Sequence, residues 1–122
     1  MELEERKQIY DKATQIYGHQ KQLFQLVEEC AEVIKEVNKL NRNNDLNNLS
    51  STNYLLNRDK TSIDDFCQEL ADLEIMIEQV DNMSSSGLIR SKIEFYKNIK
   101  LERFKERLEK EETYLENYKN YN

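Results

Sequence analysis

Apolar residues recur along most of this chain at steps of three and four, the spacing of one face of an α-helix. Leu3, Ile9, Ala13 and Ile16 mark one side of a helix predicted over residues 3–16, and Gly18 interrupts it. Residues 20–41 carry the fullest stripe: Leu23, Leu26, Val27, Cys30, Val33, Ile34, Val37 and Leu40. The pattern lapses over 41–60, a stretch rich in Asn and Ser that reads as a loop with one short turn near Tyr54–Leu56. Loops of about 20 residues are uncommon in compact domains and are often either functional lids or disordered. A third helix is predicted over 62–82, capped by Thr61 or Ser62, with Asp64 and Asp65 in its first turn. Its stripe is Ile63, Phe66, Leu70, Leu73, Ile77 and Val80. After a break at Ser84–Gly87, a long helix over 87–118 carries Ile89, Ile93, Tyr96, Ile99, Leu101, Phe104, Leu108 and Leu115. Residues 109–122 are mostly charged residues, Asn and Tyr, and are expected to project or fray.

The second and third helices share a register. An offset of 40 residues lays Leu26 on Phe66, Val27 on Cys67, Cys30 on Leu70, Ala31 on Ala71, Val33 on Leu73, Val37 on Ile77 and Leu40 on Val80. The same offset lays Glu29 on Glu69 and Glu32 on Asp72. If the apolar arcs face each other, the two acidic pairs lie along one shared edge.

Composition supports the helical reading. There is no Pro, and Gly occurs only twice, at Gly18 and Gly87. Turn-dense β folds want more of both, and long helices want neither in their interiors. An all-α, four-helix-bundle-like fold follows, in one domain spanning residues 1–122. The apolar share is 38% and the charged share 34%, too polar to cover every stripe within one subunit. A homodimer, or a dimer of dimers, is expected to finish the core. The net charge of −6 argues against a broad nucleic-acid surface. No apolar run approaches the roughly 20 residues of a membrane span, and no signal peptide opens the chain, so a cytoplasmic setting is expected. Cys30 and Cys67 fall inside apolar patterns and are expected to be small buried thiols, with no second Cys or His pair at metal-ligand spacing.

The chemistry lies in the acidic pairs. Positions i and i+3 share one side of a helix, so Glu29 points with Glu32 and Glu69 with Asp72, and Glu36 lies nearly above Glu29. Four carboxylates at one edge repel and raise one another's pKa values. A divalent cation removes that penalty, and carboxylate oxygens with spare water positions are what Mg²⁺ prefers beside a phosphate.

These residues carry a family resemblance. Glu28-Glu29-Cys30-Ala31-Glu32 reads E-E-x-x-E, and Glu69-Leu70-Ala71-Asp72 reads E-x-x-D. The pairing resembles the MazG-like, all-α nucleoside triphosphate pyrophosphohydrolases, in particular the small phage-type members. The segments 18–22, 69–79 and 100–108 agree with it, so the resemblance spans about residues 17–108. It implies hydrolysis of a nucleoside triphosphate between its α and β phosphates, to a nucleoside monophosphate and pyrophosphate. It implies Mg²⁺, with Mn²⁺ as a substitute, on Glu29, Glu32, Glu69 and Asp72. Glu28 and Glu29 would be the catalytic pair, with Glu28 either supporting the ligands or acting as the base that helps activate water. Lys100 and Arg103 would contact the phosphate tail, with Arg107 a weaker candidate. Gln22 and Tyr54 are candidates for contact with the base. The gap between the acidic motifs is longer than in many members, which leaves the base open.

A second reading is a non-catalytic helical adaptor that dimerises through its stripes. No Ser-His-Asp, Cys-His or phosphate-cradling Gly-rich pattern supports another enzyme class. His19, the single histidine, is expected at a surface junction, and Tyr114, Tyr118 and Tyr121 against a partner subunit.

Overall fold

The computed structural model describes residues 1–43, 46, 49–51, 55 and 62–121, and its regular structure is helical throughout. Helix α1 runs Leu3–Arg42, α2 Ser62–Asn82 and α3 Leu88–Tyr121. The chain divides into two compact units, Met1–Ser85 and Ser86–Asn122. Most of the predicted loop over 41–60, with Tyr54, and the predicted cap Thr61 lie outside the described residues. Among the described residues, no helix is long and apolar enough to cross a membrane.

The two helices predicted on either side of Gly18 are two arms of α1. Gly18 breaks the helix with φ 77° and ψ 167°, a conformation open almost only to glycine. Thr14 and Gln22 would stand about 12 Å apart along a straight helix. Instead Gln22 Nε2 donates a hydrogen bond to Thr14 Oγ1 at 3.0 Å. The break is therefore an elbow that turns the arms toward each other.

Both arms pack on α2. Asn43 Nδ2 donates to Ser62 Oγ at 2.6 Å, and Lys39 Nζ donates to Asp65 Oδ2 at 2.6 Å. Farther along, Glu29 meets Glu69 and Asp72. Falling numbers on α1 thus meet rising numbers on α2, so the second arm and α2 are antiparallel. The first arm reaches the other end of α2. Arg6 Nη1 donates to Glu78 Oε1 at 3.1 Å, the Tyr10 hydroxyl donates to Glu78 Oε2, and Asn82 Nδ2 donates to Asp11 Oδ1 at 2.7 Å.

The buried positions correct the phase of the expected stripes. On α1 the rows facing inward are Leu26, Glu29, Val33, Glu36 and Leu40. On α2 they are Phe66, Glu69, Leu73, Met76 and Val80. The spacing is 3-4-3-4 on both, and the 40-residue register holds. Leu40, Ile63 and Met76 are buried, and each such side chain contributes about 1.5–3 kcal/mol. The rest of the α1 stripe lies one step around the helix, outside the reach of α2. Val27 is 65% exposed and Ile34 62%, and Leu23 and Val37 are also exposed. Cys30 belongs to this outer row and Cys67 to its counterpart, so both thiols are exposed rather than buried. In the first arm Tyr10 is the buried residue, and Leu3, Ile9 and Ile16 face solvent. The Tyr10 ring has α2 to pack on and Glu78 to receive its hydroxyl, which the three aliphatic side chains lack.

The second unit contains α3. Gly87, at φ 74°, precedes it, and its carbonyl accepts from Ser91 N–H at 3.0 Å. The stretch expected to project or fray is helical to Tyr121 and exposed along residues 109–121. Uninterrupted Glu, Lys, Arg and Leu, without Gly or Pro inside the helix, favour that outcome. Charged pairs add support, as where Glu94 lies 3.7 Å from Arg90 and 3.6 Å from Lys97. No residue of α3 is buried.

Candidate metal centre and the adjoining elbow

The antiparallel packing puts acidic residues into the seam between α1 and α2. Glu29 and Glu69 are part-buried and Asp72 is exposed, and one carboxylate oxygen from each lies within 4.8 Å of the others. Glu32, one turn from Glu29, stays exposed, with its carboxylate 4.0 Å from Lys35 Nζ. It stands outside the group of three but acts on it through charge. Desolvation raises the Glu69 carboxyl above its ordinary range, and the charges of Asp72, Glu32, Glu29 and Glu36 add to the rise. Among the described residues no cation pairs with Glu29, Glu69 or Asp72.

Glu36 continues the row at 7% exposure. Its Oε2 has no hydrogen-bond partner among the described residues, and the nearest cation is Lys39 Nζ at 3.8 Å. Lys39 is itself held above its ordinary pKa, first by its hydrogen bond to Asp65 and also by the charges of Asp65 and Glu36.

Beside the acidic seam lies the hollow of the elbow, a cavity of about 540 Å³ within the first unit. Tyr17, Gln22, Phe24, Gln25, Glu28 and Met76 are among its walls. Gln25 joins the two features, because its Nε2 donates to Glu29 Oε1 at 2.7 Å. Glu28 lines the hollow next to the ligand candidate Glu29. Gln22 is 3% exposed, an inward position for a residue whose sequence context fitted a helix surface equally well.

The structure thus brings Glu29, Glu69 and Asp72 together, with Glu32 nearby, and puts Gln22 and Glu28 on the adjoining hollow. Lys100 and Arg103 belong to the second unit, both exposed on α3. Lys100 stands beside Ile93 and Tyr96, and Arg107 stacks its guanidinium on the Phe104 ring at 5.0 Å. His19 is exposed beside the elbow glycine. Sequence reasoning missed Gln25 and Lys39. The signal for Gln25 was its i,i+4 spacing to Glu29, which lets the amide reach the carboxylate.

The donor set fits a hard divalent cation. It offers three carboxylate oxygens close enough to converge, with one of the carboxyls destabilised as an anion and no cation paired with them among the described residues.

No protein-family model, curated protein or solved structure matches this chain. The functional reading therefore rests on the residues and their arrangement.

Proposed function

We propose that this chain is a Mg²⁺-dependent nucleoside triphosphate pyrophosphohydrolase of MazG-like type. The observation that carries the reading is the convergence of Glu29, Glu69 and Asp72 within 4.8 Å in a seam that holds no compensating cation among the described residues. The E-E-x-x-E and E-x-x-D spacing of the same residues supports it. Glu29, Glu69 and Asp72 would hold the Mg²⁺, and Glu32 would be a fourth ligand or orient the others. The cation, when bound, supplies neutralisation of the phosphate charge and activation of water. Glu28 accepts the proton of the attacking water. The water oxygen bonds to the α phosphorus as the bond from that phosphorus to the bridging oxygen breaks. Pyrophosphate leaves, and a nucleoside monophosphate remains. Gln25 fixes the Glu29 carboxylate through its 2.7 Å hydrogen bond. Lys100 and Arg103 stand at i,i+3 on α3, a pairing suited to a polyphosphate tail.

The test is incubation with Mg²⁺ and a panel of deoxynucleoside triphosphates, reading pyrophosphate. Release that vanishes in Glu69→Gln and Asp72→Asn supports the reading. Absence of turnover for every nucleotide at every metal concentration rejects it.

A second reading is favoured by one observation, the exposed row of Leu23, Val27, Ile34 and Val37. A contiguous apolar row of this kind suits association, and a second copy of the chain is the occupant we propose. The same surface would serve a non-catalytic adaptor. Sedimentation separates self-association from a stable monomer, and the pyrophosphate assay separates enzyme from adaptor.

A further inference from the structure

The elbow is built around one buried amide whose two ends are in unlike states. The Thr14 hydroxyl has a single proton, and it donates that proton to the Tyr10 carbonyl at 3.1 Å. The Gln22 group facing Thr14 at 3.0 Å must therefore be the donor Nε2. Gln22 Oε1 is left on the other side of the amide. It has no hydrogen-bond partner among the described residues, in a side chain 3% exposed. Buried carbonyl oxygens without a donor are uncommon, and each calls for an account.

The surroundings supply one. Gln22 lines the hollow of about 540 Å³, a volume within the range of small-molecule sites. Tyr17 and Phe24 stand on the same walls with more than half of each side chain exposed, offering planar faces for a flat ring. Glu28 adds negative charge to the wall, and Gln25 ties the wall to the acidic seam.

We infer that the elbow receives the base of the nucleotide, and that Gln22 Oε1 selects bases bearing an exocyclic amine over uracil and thymine. The inference rests on the proposed nucleotide reading for the chemical class of the ligand. The preference follows from shape and charge. Gln22 Oε1 is recessed, with almost no surface of its own. An exocyclic amine stands out from its ring and can enter such a recess. The ring N–H of uracil or thymine sits between two carbonyl oxygens that project farther than the hydrogen does. Those oxygens would meet Gln22 Oε1 first, and that contact repels.

The test uses the full-length chain without metal, titrated with cytidine and with uridine and followed by ¹⁵N-edited NMR. These nucleosides lack the phosphates that the acidic seam would hold. Cytidine is expected to shift the Gln22 side-chain amide and to bind about tenfold or more tightly than uridine, the loss expected when a buried polar group stays unpaired. Gln22→Leu is expected to erase the preference. If that variant fails to fold, Tyr17→Leu is expected to weaken cytidine binding by removing a stacking wall. Equal binding of the two nucleosides, shifts confined to residues outside the elbow, or no binding of either overturns the inference. Cytidine preference without pyrophosphate release from any triphosphate rejects the hydrolase and leaves the elbow assignment standing. Release at equal rates from dCTP and dUTP does the reverse.

Discussion

The seam between α1 and α2 holds carboxylates in two conditions. At its ends they are matched. Asp65 takes Lys39 Nζ at 2.6 Å, and Glu78 takes both Arg6 and the Tyr10 hydroxyl. In its middle Glu29, Glu69 and Asp72 converge with no cation among the described residues, and the Glu69 carboxyl is pushed up by burial and by its neighbours. The same pair of helices thus shows that this chain can place a Lys or Arg opposite an acid. Where it does not, like charges gathered in a part-buried seam work against the fold. The ends of the seam hold the helices together, and the middle gathers like charges.

The largest expected effect is on turnover. Replacing one ligand candidate, by Glu69→Gln or Asp72→Asn, should lower pyrophosphate release by on the order of a hundredfold or more, as with the loss of other preorganised charge-stabilising groups. Asp65→Asn, at a matched end, should leave kcat close to wild type and act on stability. Comparable loss of kcat in both places would dissolve the contrast.

Next comes the elbow. Gly18→Ala forces a side chain into φ 77° and should lower stability by about 1–3 kcal/mol in chemical denaturation. An added Cβ would meet nothing within 4 Å, so the cost is one of backbone conformation and not of collision. The variant should also loosen the contact between Thr14 and Gln22, which exchange of the Gln22 side-chain amide protons would report.

Lys39 sharpens the contrast on a smaller scale. Lys39→Ala removes the Lys39 ammonium from Asp65 and from the buried Glu36 and should lower the melting temperature. Lys35→Ala, whose partner Glu32 is exposed at 4.0 Å, should have little effect. Equal melting temperatures for the two variants would mean that the matched end is not matched in energy.

The smallest effect is seen only at high pH. Burial, followed by the hydrogen bond to Glu78, pushes the Tyr10 hydroxyl from its ordinary value of 10.0 up to about 12. A raised pKa in the folded state means stability that is fully present below pH 10.0 and is lost as pH rises toward about 12. Tyr10→Phe should remove this part of the pH dependence, as measured by denaturation at pH 9 and pH 11.5.

The helices were legible in the sequence because period, length and the near absence of Gly and Pro agree. The register of 40 residues between α1 and α2 was also legible, and it carried Glu29, Glu69 and Asp72, but not Glu32, into one group. What the pattern did not reveal was the phase. The α1 stripe spans two rows, Leu26-Val33-Leu40 and Val27-Ile34-Val37, and periodicity weighs them equally. Only the partner helix decides which is covered, and α2 takes the row that includes Glu29 and Glu36. Cys30 and Cys67 were misplaced for the same reason. The hollow was invisible because it depends on the backbone angle of one glycine and on a hydrogen bond between Thr14 and Gln22, eight residues apart. Acid placement, by contrast, needed only i,i+3 spacing, which a helix fixes.

The proposed metal site at the middle of the seam is tested most directly by melting wild type and Glu69→Gln with and without Mg²⁺. Without metal the variant should melt higher, because it removes a repelled charge. Millimolar Mg²⁺ should raise the wild-type melting temperature, as any ligand confined to the native state must, by about 2.7 kcal/mol of stability at a hundredfold excess over Kd. It should leave the variant nearly unmoved, so that the order of the two reverses. A wild type indifferent to Mg²⁺, with a variant that melts lower than wild type, would contradict the account.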